Sequence, residues 1–336
     1  MANHRVGAVA PMRFSVVIPT YQRCGLIVRM VQALERQSYD DFEIVVVVDG
    51  STDGTAAALR KLDLGVPLTV LEQRNEGAAT ARNAGAGASR GELLLFLDDD
   101  MEADPRMLTE HDRSHREGAT LVLGHLAVHG GSPATLLTQE VSTWSERRRV
   151  LLSRPSVEVP LAHLLTGQMS ISRIAFQQIG GFDISFTRDG LFGGEDLDFG
   201  YRVRKAGLRV TFNPAAVSYQ LYDVDPALYT RRSREAGRAA QELLSKHPDL
   251  AGELEHWQFD ARVDRIVFGA LAAAPAVVSA PLRALAVRLV RRGLVGPRTR
   301  RLFFGVQTME YLRGVRETAR RRGRAAPLGI RRGGTE

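Results

Sequence analysis

Three adjacent acids, Asp98, Asp99 and Asp100, directly follow the apolar run Leu93–Leu97. Carboxylates packed this closely repel one another, so a bound cation would stabilise them. Oxygen ligands with no thiolate nearby favour a hard divalent metal such as Mg²⁺ or Mn²⁺. If the strand geometry persists, Asp98 and Asp100 point to the same side. A solvated acidic turn has the same spacing, so the cluster alone does not decide between the two.

A second acidic cluster, Gly193-Gly-Glu195-Asp196-Leu-Asp198, opens a predicted helix. Acids in a first helical turn are favoured by the helix dipole, which is one interpretation of the cluster. The other is a general base at the start of the helix, facing a crevice. Neighbouring Glu195 and Asp198 would raise the pKa of Asp196, as a base that works near neutral pH requires.

A third acid, Asp49, follows the apolar run Ile44–Val48 and begins the segment Asp49-Gly-Ser-Thr-Asp-Gly54. These residue types are typical of a turn with a helix cap. A carboxylate at this place could also accept a hydrogen bond from a nucleobase N–H.

Short β-branched runs that alternate with helical patterns must position these acids. The patterns predict strands at Phe14–Ile18, Ile44–Val48, Pro67–Leu71, Glu92–Leu97, Thr120–His129, Gly167–Ser172 and Leu208–Phe212. They predict helices at Gly25–Gln37, Asp53–Leu62, Gly77–Ser89, Pro105–Glu117, Ile174–Ile179 and Gly193–Ala206. This order favours an α/β fold with a mostly parallel sheet and helices on both faces. Ligands of such folds bind at the carboxyl ends of the strands, where the polar segments 20–23, 49–53 and 98–100 could share one crevice.

Other parts of the chain give weaker signals. Periodicity fades between residues 130 and 160, which suggests a variable connection, and everything beyond Pro226 looks helical. The pair His111 and His115 lies four residues apart on a helix with no third metal ligand in sight. The glycines of Gly85-Ala-Gly87 end a helix instead of following a strand, which argues against a dinucleotide-binding loop.

The composition describes an ordinary soluble chain with a basic end. Of its 336 residues 44% are hydrophobic and 25% charged, which excludes disorder throughout. One cysteine, Cys24, excludes an internal disulfide framework and fits a reducing compartment. Fifteen arginines and two acids lie between Arg283 and Arg332, so the net charge of +7 hides an acidic body. The apolar segment Ile266–Leu282 has 17 residues and falls short of the ~20 needed to span a bilayer.

Several segments occur together in an order that resembles family 2 glycosyltransferases of the GT-A fold. They are Ser15-Val-Val-Ile-Pro-Thr-Tyr-Gln-Arg23, Val48-Asp-Gly-Ser-Thr-Asp-Gly-Thr55, Asn75-Glu-Gly77 with Ala81-Arg-Asn-Ala-Gly85, Phe96-Leu-Asp-Asp-Asp100, and Gly180-Gly-Phe-Asp183 with Gly193-Gly-Glu-Asp-Leu-Asp198. The resemblance runs from about Phe14 to about Tyr219. It implies an inverting, non-processive transfer of one sugar from a nucleotide-diphosphate sugar, most often a UDP-sugar, with the help of Mg²⁺ or Mn²⁺.

The resemblance also implies roles for individual residues. Nucleotide-sugar binding falls to Pro19, Thr20, Tyr21, Arg23, Asp49, Ser51, Arg82, Asp98 and Asp99. The DXD element places the metal on Asp100 and Asp98. Of the Glu-Asp pair, Asp196 is the expected base, with Glu195 beside it.

Two departures from the family pattern matter. Val48 stands where members often have a first acid, so Asp49 must bind the base alone. Gln220 stands where many members have a histidine that can ligate the metal, and either Asp223 or a water could substitute. The chain also lacks the Gln-x-x-Arg-Trp motif of processive synthases.

These observations predict an N-terminal tail at 1–12, a GT-A catalytic domain at 13–225 and a helical, Arg-rich extension at 226–336. The catalytic domain would divide into a nucleotide-sugar half (13–128) and an acceptor half (129–225). The expected protein is bacterial in type and cytoplasmic, or lies peripherally at the inner face of a membrane. Its acceptor is a glycan, a lipid-linked sugar or a small molecule, and no nucleic acid is expected. The alternatives are a nucleotidyltransferase and a non-catalytic or lipid-associated relative that binds through the basic extension.

Overall fold

The computed structural model describes residues 12–154, 157–187, 191, 193–256 and 262–321, without the side chains of 254–266 and 276. The predicted N-terminal tail up to residue 11 and the arginines beyond residue 321 lie outside the described residues. The strands are β1 Phe14–Thr20, β2 Phe42–Asp49, β3 Leu68–Gln73, β4 Leu93–Leu97, β5 Met101–Ala103, β6 Leu121–Val128, β7 Gln168–Ser172 and β8 Val210–Gln220. The helices are α1 Cys24–Leu34, α2 Thr55–Leu59, α3 Ala78–Ala88, α4 Met107–Arg116, α5 Leu136–Leu152, α6 Arg173–Ile179, α7 Gly194–Lys205, α8 Pro226–Lys246, α9 Ala251–His256, α10 Arg262–Ala273, α11 Ala276–Arg291 and α12 Pro297–Arg321.

All eight strands form one sheet in the order β3-β2-β1-β4-β7-β6-β8-β5. Strand β1 pairs in parallel with β2 and β4, β2 pairs in parallel with β3, and β6 pairs in parallel with β8. Strand β7 is antiparallel to its neighbours β4 and β6, and β5 is antiparallel to β8. The predicted α/β fold is confirmed, with a mixed sheet. Because β1, β2 and β4 run the same way, their carboxyl ends lie at one edge.

Alternate residues of the central strands pack on opposite faces of the sheet. Val16 and Ile18 join the core that α1 covers, whereas Val17 and Phe96 join the core beneath α3, α6 and α7. The continuous apolar runs of the sequence therefore reflect burial on both faces. In α3, Gly85 lets the helix lie against β1, because a Cβ there would be 2.4 Å from a methyl group of Val17.

Two sequence predictions were wrong. The segment expected to be an irregular connection contains α5, a helix of 17 residues. Its apolar periodicity is weak because buried Arg148 occupies an inward position, donating to the carbonyls of Gly124 and His163. The last strand, β8, extends eight residues beyond the predicted end at Phe212 and includes Pro214, beside an irregularity in its pairing with β6.

The C-terminal helices pack against the rest of the protein. Leu243 and Leu244 of α8 join the core under α7, and α10, α11 and α12 form a further apolar cluster with Leu136 and Leu137 of α5. The apolar segment 266–282 is divided between two helices, α10 and α11. Among the described residues, no helix is both long and apolar enough to cross a bilayer. A domain boundary near residue 225 stays a prediction, although α8 does begin at Pro226.

Candidate active site

The loop after β1 is held to the end of β4 by Asp99. The Thr20 hydroxyl donates to this carboxylate at 2.8 Å, and the Arg23 guanidinium donates at 2.6 Å. Burial raises the pKa of Asp99, and the positive charge of Arg23 acts in the opposite direction. Both carboxylate oxygens of Asp99 are thus occupied by the chain itself, so this acid fixes the loop that carries Thr20 and Arg23.

Arg82 joins acids from two distant parts of the chain. Its guanidinium donates to Asp98 at 2.9 Å and to Glu195 at 3.3 Å, and it lies 3.9 Å from Asp196. Arg82 is almost fully buried, and the three acids raise the pKa of its guanidinium against the effect of burial. A buried cation surrounded by carboxylates stays charged, so Arg82 neutralises part of the negative charge gathered here.

The Glu195–Asp196 pair at the start of α7 is tightly coupled. Burial raises the pKa of Glu195, the neighbouring charge of Asp196 raises it further, and Oε2 of Glu195 has no partner among the described residues. Burial also raises the pKa of Asp196, but Thr166 donates to it from its hydroxyl and, at 3.3 Å, from its backbone amide. Hydrogen bonds to a carboxylate favour its charged form. Thr166 therefore favours the ionised form of Asp196, whereas Oε2 of Glu195 receives no such bond from the described residues.

Asp198 has a different position from the one the sequence suggested. It accepts from Arg202 at 2.8 Å and is 2.8 Å from Nε2 of His247. Instead of facing Asp196, it ties α7 to the end of α8. The negative charge that raises the pKa of Asp196 in addition to burial comes from Asp98.

Asp100 is the least firmly held acid of the DXD element. The strand ends at Leu97 and residues 99–100 form a turn, so the strand geometry assumed for Asp98 and Asp100 does not persist. The contacts of Asp100 are long, 3.4 Å to the Gln220 amide and 3.5 Å to Arg23. Burial raises its pKa, and the charges of Asp98 and Asp99 add to this.

These acids fit a divalent cation. A buried carboxylate with only long contacts beside two other acids is a place where added positive charge is stabilising. Within the described residues, no group of three or more His, Cys, Asp or Glu side chains forms a closed metal site. Mg²⁺ commonly uses one or two carboxylates and completes its shell with phosphate and water, which the pair Asp98 and Asp100 could satisfy. Gln220 already contacts Asp100, whereas Asp223 is exposed.

Asp49 is buried and used by its own chain. It accepts from the Gln73 amide at 2.7 Å and from the backbone amides of Glu76 and Gly77 at 2.9 Å each. Those three bonds shape the loop that leads into α3. A carboxylate has about four acceptor positions, so one position of Asp49 is left for a ligand.

The loops after β1 and β2 are also joined directly. The Ser51 hydroxyl accepts from the backbone amide of Gln22 at 2.9 Å, and Asp53 accepts from the amide of Cys24 at 2.9 Å. Gln22 has a φ of 54°, a left-handed conformation that these bonds stabilise. Beside it, Tyr21 is 48% exposed and stands free for a ligand to contact.

A cavity of about 490 Å³ lies over Arg82, Asp98, Glu195 and Asp196. Its opposite wall comes from the C-terminal helices, from Ala236, Ala239 and Ala240 of α8 and from Tyr311 of α12. Tyr311 is buried, which raises the pKa of its phenol, and no hydrogen bond joins this phenol to the described part of the chain. A sequence pattern could not indicate Tyr311, because only the folded crossing of α8 and α12 brings it to the acids.

The histidine pair takes no part in this site. The Ser170 hydroxyl lies 2.7 Å from both His111 and His115, and His115 also donates to the carbonyl of Ala119 at 2.9 Å. His111 is fully buried. The pair is hydrogen-bonded within the core through Ser170, apart from Nε2 of His111, which has no partner among the described residues.

An α/β sheet whose strand ends gather carboxylates beside a cavity has the arrangement expected of the GT-A type. Residues 15–180 match the family model described as Glycosyl transferase family 2, and residues 146–222 match one described as N-terminal domain of galactosyltransferase. The chain belongs to glycosyltransferase family 2.

A relative named validoxylamine A glucosyltransferase, from Streptomyces hygroscopicus subsp. jinggangensis, is 31% identical over 291 residues, which cover 76% of this chain and 65% of the relative. The chain thus spans less than two-thirds of the relative's length. The mannosyltransferase PcManGT from Pyrobaculum calidifontis, solved with GDP-Man and Mn²⁺, has a TM-score of 0.60 at 19% identity over 93% of this chain and 89% of its own. Staphylococcus aureus TarS 1–349, solved with UDP, has a TM-score of 0.54 at 21% identity over 93% and 92%. Both structures share the fold.

Proposed function

We propose that this chain is an inverting glycosyltransferase that moves one sugar from a nucleotide-diphosphate sugar to an acceptor hydroxyl, with Asp196 as the general base. The observation that carries the proposal is the position of Arg82. It binds Asp98, at the end where the donor is expected, and also contacts Glu195, next to the proposed base. Donor and base are thereby assigned to one cavity.

The donor we propose is a UDP-sugar. Asp49 retains one acceptor position for a nucleobase N–H, and Tyr21 is exposed at the end of the neighbouring strand β1. The ends of β1 and β2 and the loops after them also contain Pro19, Thr20, Arg23 and Ser51. Because one structural neighbour was solved with UDP and another with GDP-Man, GDP-sugars are the first alternative.

Asp98 and Asp100 would hold Mg²⁺ or Mn²⁺, and Asp100 has the contacts most easily exchanged for a metal. The Mn²⁺ in the mannosyltransferase neighbour supports a divalent ion. When bound, this ion would stabilise the negative charge that the leaving nucleoside diphosphate gains. Arg23 lies beside Asp99 and Asp100 and would add positive charge at the same end.

The remaining chemistry belongs to the residues of the cavity. Asp196, whose ionised form is favoured by the charge of Arg82 and by the hydrogen bonds from Thr166, accepts the proton of the acceptor hydroxyl. The hydroxyl oxygen then bonds to the anomeric carbon from the face opposite the leaving group, and this inverts the configuration. Burial and the charge of Asp196 raise the pKa of Glu195, and in its protonated form Glu195 would limit the negative charge around the base.

The acceptor we propose is a compact polyhydroxylated molecule. Helices α8 and α12 close one side of a cavity of about 490 Å³, which leaves room for few sugar-sized units beyond the donor. The name of the validoxylamine A glucosyltransferase relative makes validoxylamine A the first acceptor to test and glucose the first sugar.

The test is a transfer assay with UDP-, GDP- and dTDP-glucose, each with and without Mn²⁺, on validoxylamine A, short glycans and lipid-linked sugars. Asp196→Asn should lower kcat by roughly 10²–10⁴-fold while donor binding stays unchanged. Asp63→Asn, which makes the same change at an exposed acid after α2 and far from the proposed site, is the control and should leave kcat unchanged. Full activity of Asp196→Asn would refute the base assignment. No transfer with any pair would favour a non-catalytic relative.

A further inference from the structure

The C-terminal helices carry an exposed apolar face. On α11, Val277, Val278 and Leu285 are 77%, 55% and 48% exposed. In the turn that follows, Leu294 and Val295 are 47% and 42% exposed. Single exposed aliphatic residues are ordinary, but five within nineteen residues of α11 and the turn after it form a patch that calls for a partner.

The spacing of the exposed residues shows that they share one side of α11. Exposed positions occur at 277, 278, 281, 284, 285, 288, 291 and 292, most of which are three or four residues apart. The opposite side holds Ala286, Val287 and Val290, which are buried in the cluster with α12. The helix therefore already has its core contact, and its exposed face is a second apolar surface.

The C-terminal end of this face carries positive charges that no acid neutralises among the described residues. Arg288, Arg292 and Arg298 are exposed and have no ion pair among the described residues, whereas Arg291 binds Asp225 at 2.8 Å. Between Asp264 and Glu310 the sequence contains no acid at all. An apolar patch on a protein partner would not need the arginines. A partner that has a negatively charged surface above an apolar interior would contact both the arginines and the apolar residues.

We infer that this face of α11, with residues 294–298, docks on the surface of a membrane that contains anionic lipid. The valines and leucines would enter the boundary between headgroups and acyl chains, and the arginines would meet lipid phosphates. The proposal is independent of the transferase reaction, because none of these residues lines the cavity described above.

Sedimentation with lipid vesicles tests the inference on the full chain. We expect binding to vesicles of phosphatidylcholine mixed with phosphatidylglycerol, and little binding to phosphatidylcholine alone. The double variant Arg288→Gln/Arg292→Gln should lower the partition coefficient roughly thirtyfold, because each arginine near an anionic surface contributes about fivefold. Leu285→Glu with Val277→Glu should abolish binding at the same lipid concentration.

The matched control is Ile174→Glu, which places the same charge on a residue 69% exposed on α6, outside this face. It should bind vesicles like the unaltered chain, and unchanged melting temperatures would show that the variants fold. The inference is overturned if the unaltered chain ignores anionic vesicles. It is also overturned if the double variant Leu285→Glu/Val277→Glu binds them fully, since arginines elsewhere would then carry the interaction. A change of oligomeric state without lipid in the same variant would identify the face as a protein interface and refute the inference.

Discussion

Thr166 donates two hydrogen bonds to Asp196, one from its hydroxyl to Oδ1 and one from its backbone amide to Oδ2 at 3.3 Å. Both bonds stabilise the carboxylate form of an acid whose pKa burial would otherwise raise further. Thr166 lies just before β7, and Asp196 lies at the start of α7, so the pairing depends on how the strand and the helix are packed. Thr166 is therefore a positioning residue for the proposed base.

Replacing Thr166 with valine should shift the pH dependence of activity. The variant keeps the shape and the backbone amide but loses the hydroxyl donor, so the pKa of Asp196 rises. A hydrogen bond to a charged group contributes about 1.5–3 kcal/mol, and the acid limb of kcat/KM should move up by about one to two pH units. The measurement is a pH profile of kcat/KM for the acceptor.

Thr166→Ser is the control, since it keeps the hydroxyl and should keep the native profile. An unmoved acid limb in Thr166→Val would mean that a group other than Asp196 governs this limb.

Tyr311 should affect the acceptor more than the donor. Its phenol lies in the wall opposite the acids and has no hydrogen bond to the described chain, so it can donate to a bound hydroxyl. Tyr311→Phe should raise the acceptor KM roughly tenfold, the equivalent of one neutral hydrogen bond, and leave the donor Kd unchanged. Initial rates at varied acceptor and donor titrations measure the two effects.

The matched control is Tyr229→Phe, a partly buried tyrosine that packs on Phe303 outside the cavity. If Tyr311→Phe weakens donor and acceptor equally, the phenol acts on the whole cavity and our assignment to the acceptor is wrong.

The sequence was sufficient for the parts of the site that depend on local patterns. Asp98–Asp100 could be placed at a strand end because a buried apolar run stops directly before them. Glu195 and Asp196 could be placed at a helix start because two glycines precede them. What could not be predicted depends on contacts between distant segments, such as the bonds from Asp49 to the loop before α3 and the approach of Tyr311 to the acids. The helix α5 was missed for a related reason, since its inward arginine is satisfied only by carbonyls of other elements.

The crossing of α8 and α12 depends on two glycines. A Cβ at Gly314 would lie 2.0 Å from the carbonyl oxygen of Arg234, and one at Gly237 would lie 2.0 Å from that of Tyr311. Both obstacles are backbone atoms, which cannot rotate away. Gly314→Ala should therefore push the helices apart and lower the free energy of unfolding by about 1–3 kcal/mol.

Gly87→Ala on α3 provides the comparison, because this glycine is exposed and nothing lies within 4 Å of a Cβ there. It should stabilise the protein by about 0.4–1 kcal/mol, since alanine restricts the unfolded chain. Thermal and denaturant unfolding of both variants test the opposite signs. Equal effects would show that the crossing is not as tight as the distances indicate.

His111 should make the protein less stable in mild acid. His115 donates through Nδ1 to the carbonyl of Ala119, so its Nε2 must accept from Ser170, and the Ser170 oxygen must accept from Nδ1 of His111. This leaves Nε2 of His111 buried, without a partner among the described residues, and unprotonated. Burial and, to a smaller extent, the proximity of His115 together lower the pKa of His111 to about 3.

The sign of the effect follows from comparing the two states. Above pH ~6.5, the pKa of an unfolded histidine, both states are neutral at His111 and it adds no pH dependence. As the pH falls from ~6.5 towards the folded pKa, only the unfolded chain binds the proton, and stability falls by about 1.4 kcal/mol per pH unit.

His111→Gln removes this titration. Urea unfolding between neutral pH and mild acid should therefore show that the variant loses less stability per pH unit. The difference in slope should be about 1.4 kcal/mol per pH unit, which corresponds to one proton, because all other acids and histidines are common to both proteins. Identical slopes would mean that His111 becomes protonated in the folded protein, and the hydrogen-bond order through Ser170 would then be wrong.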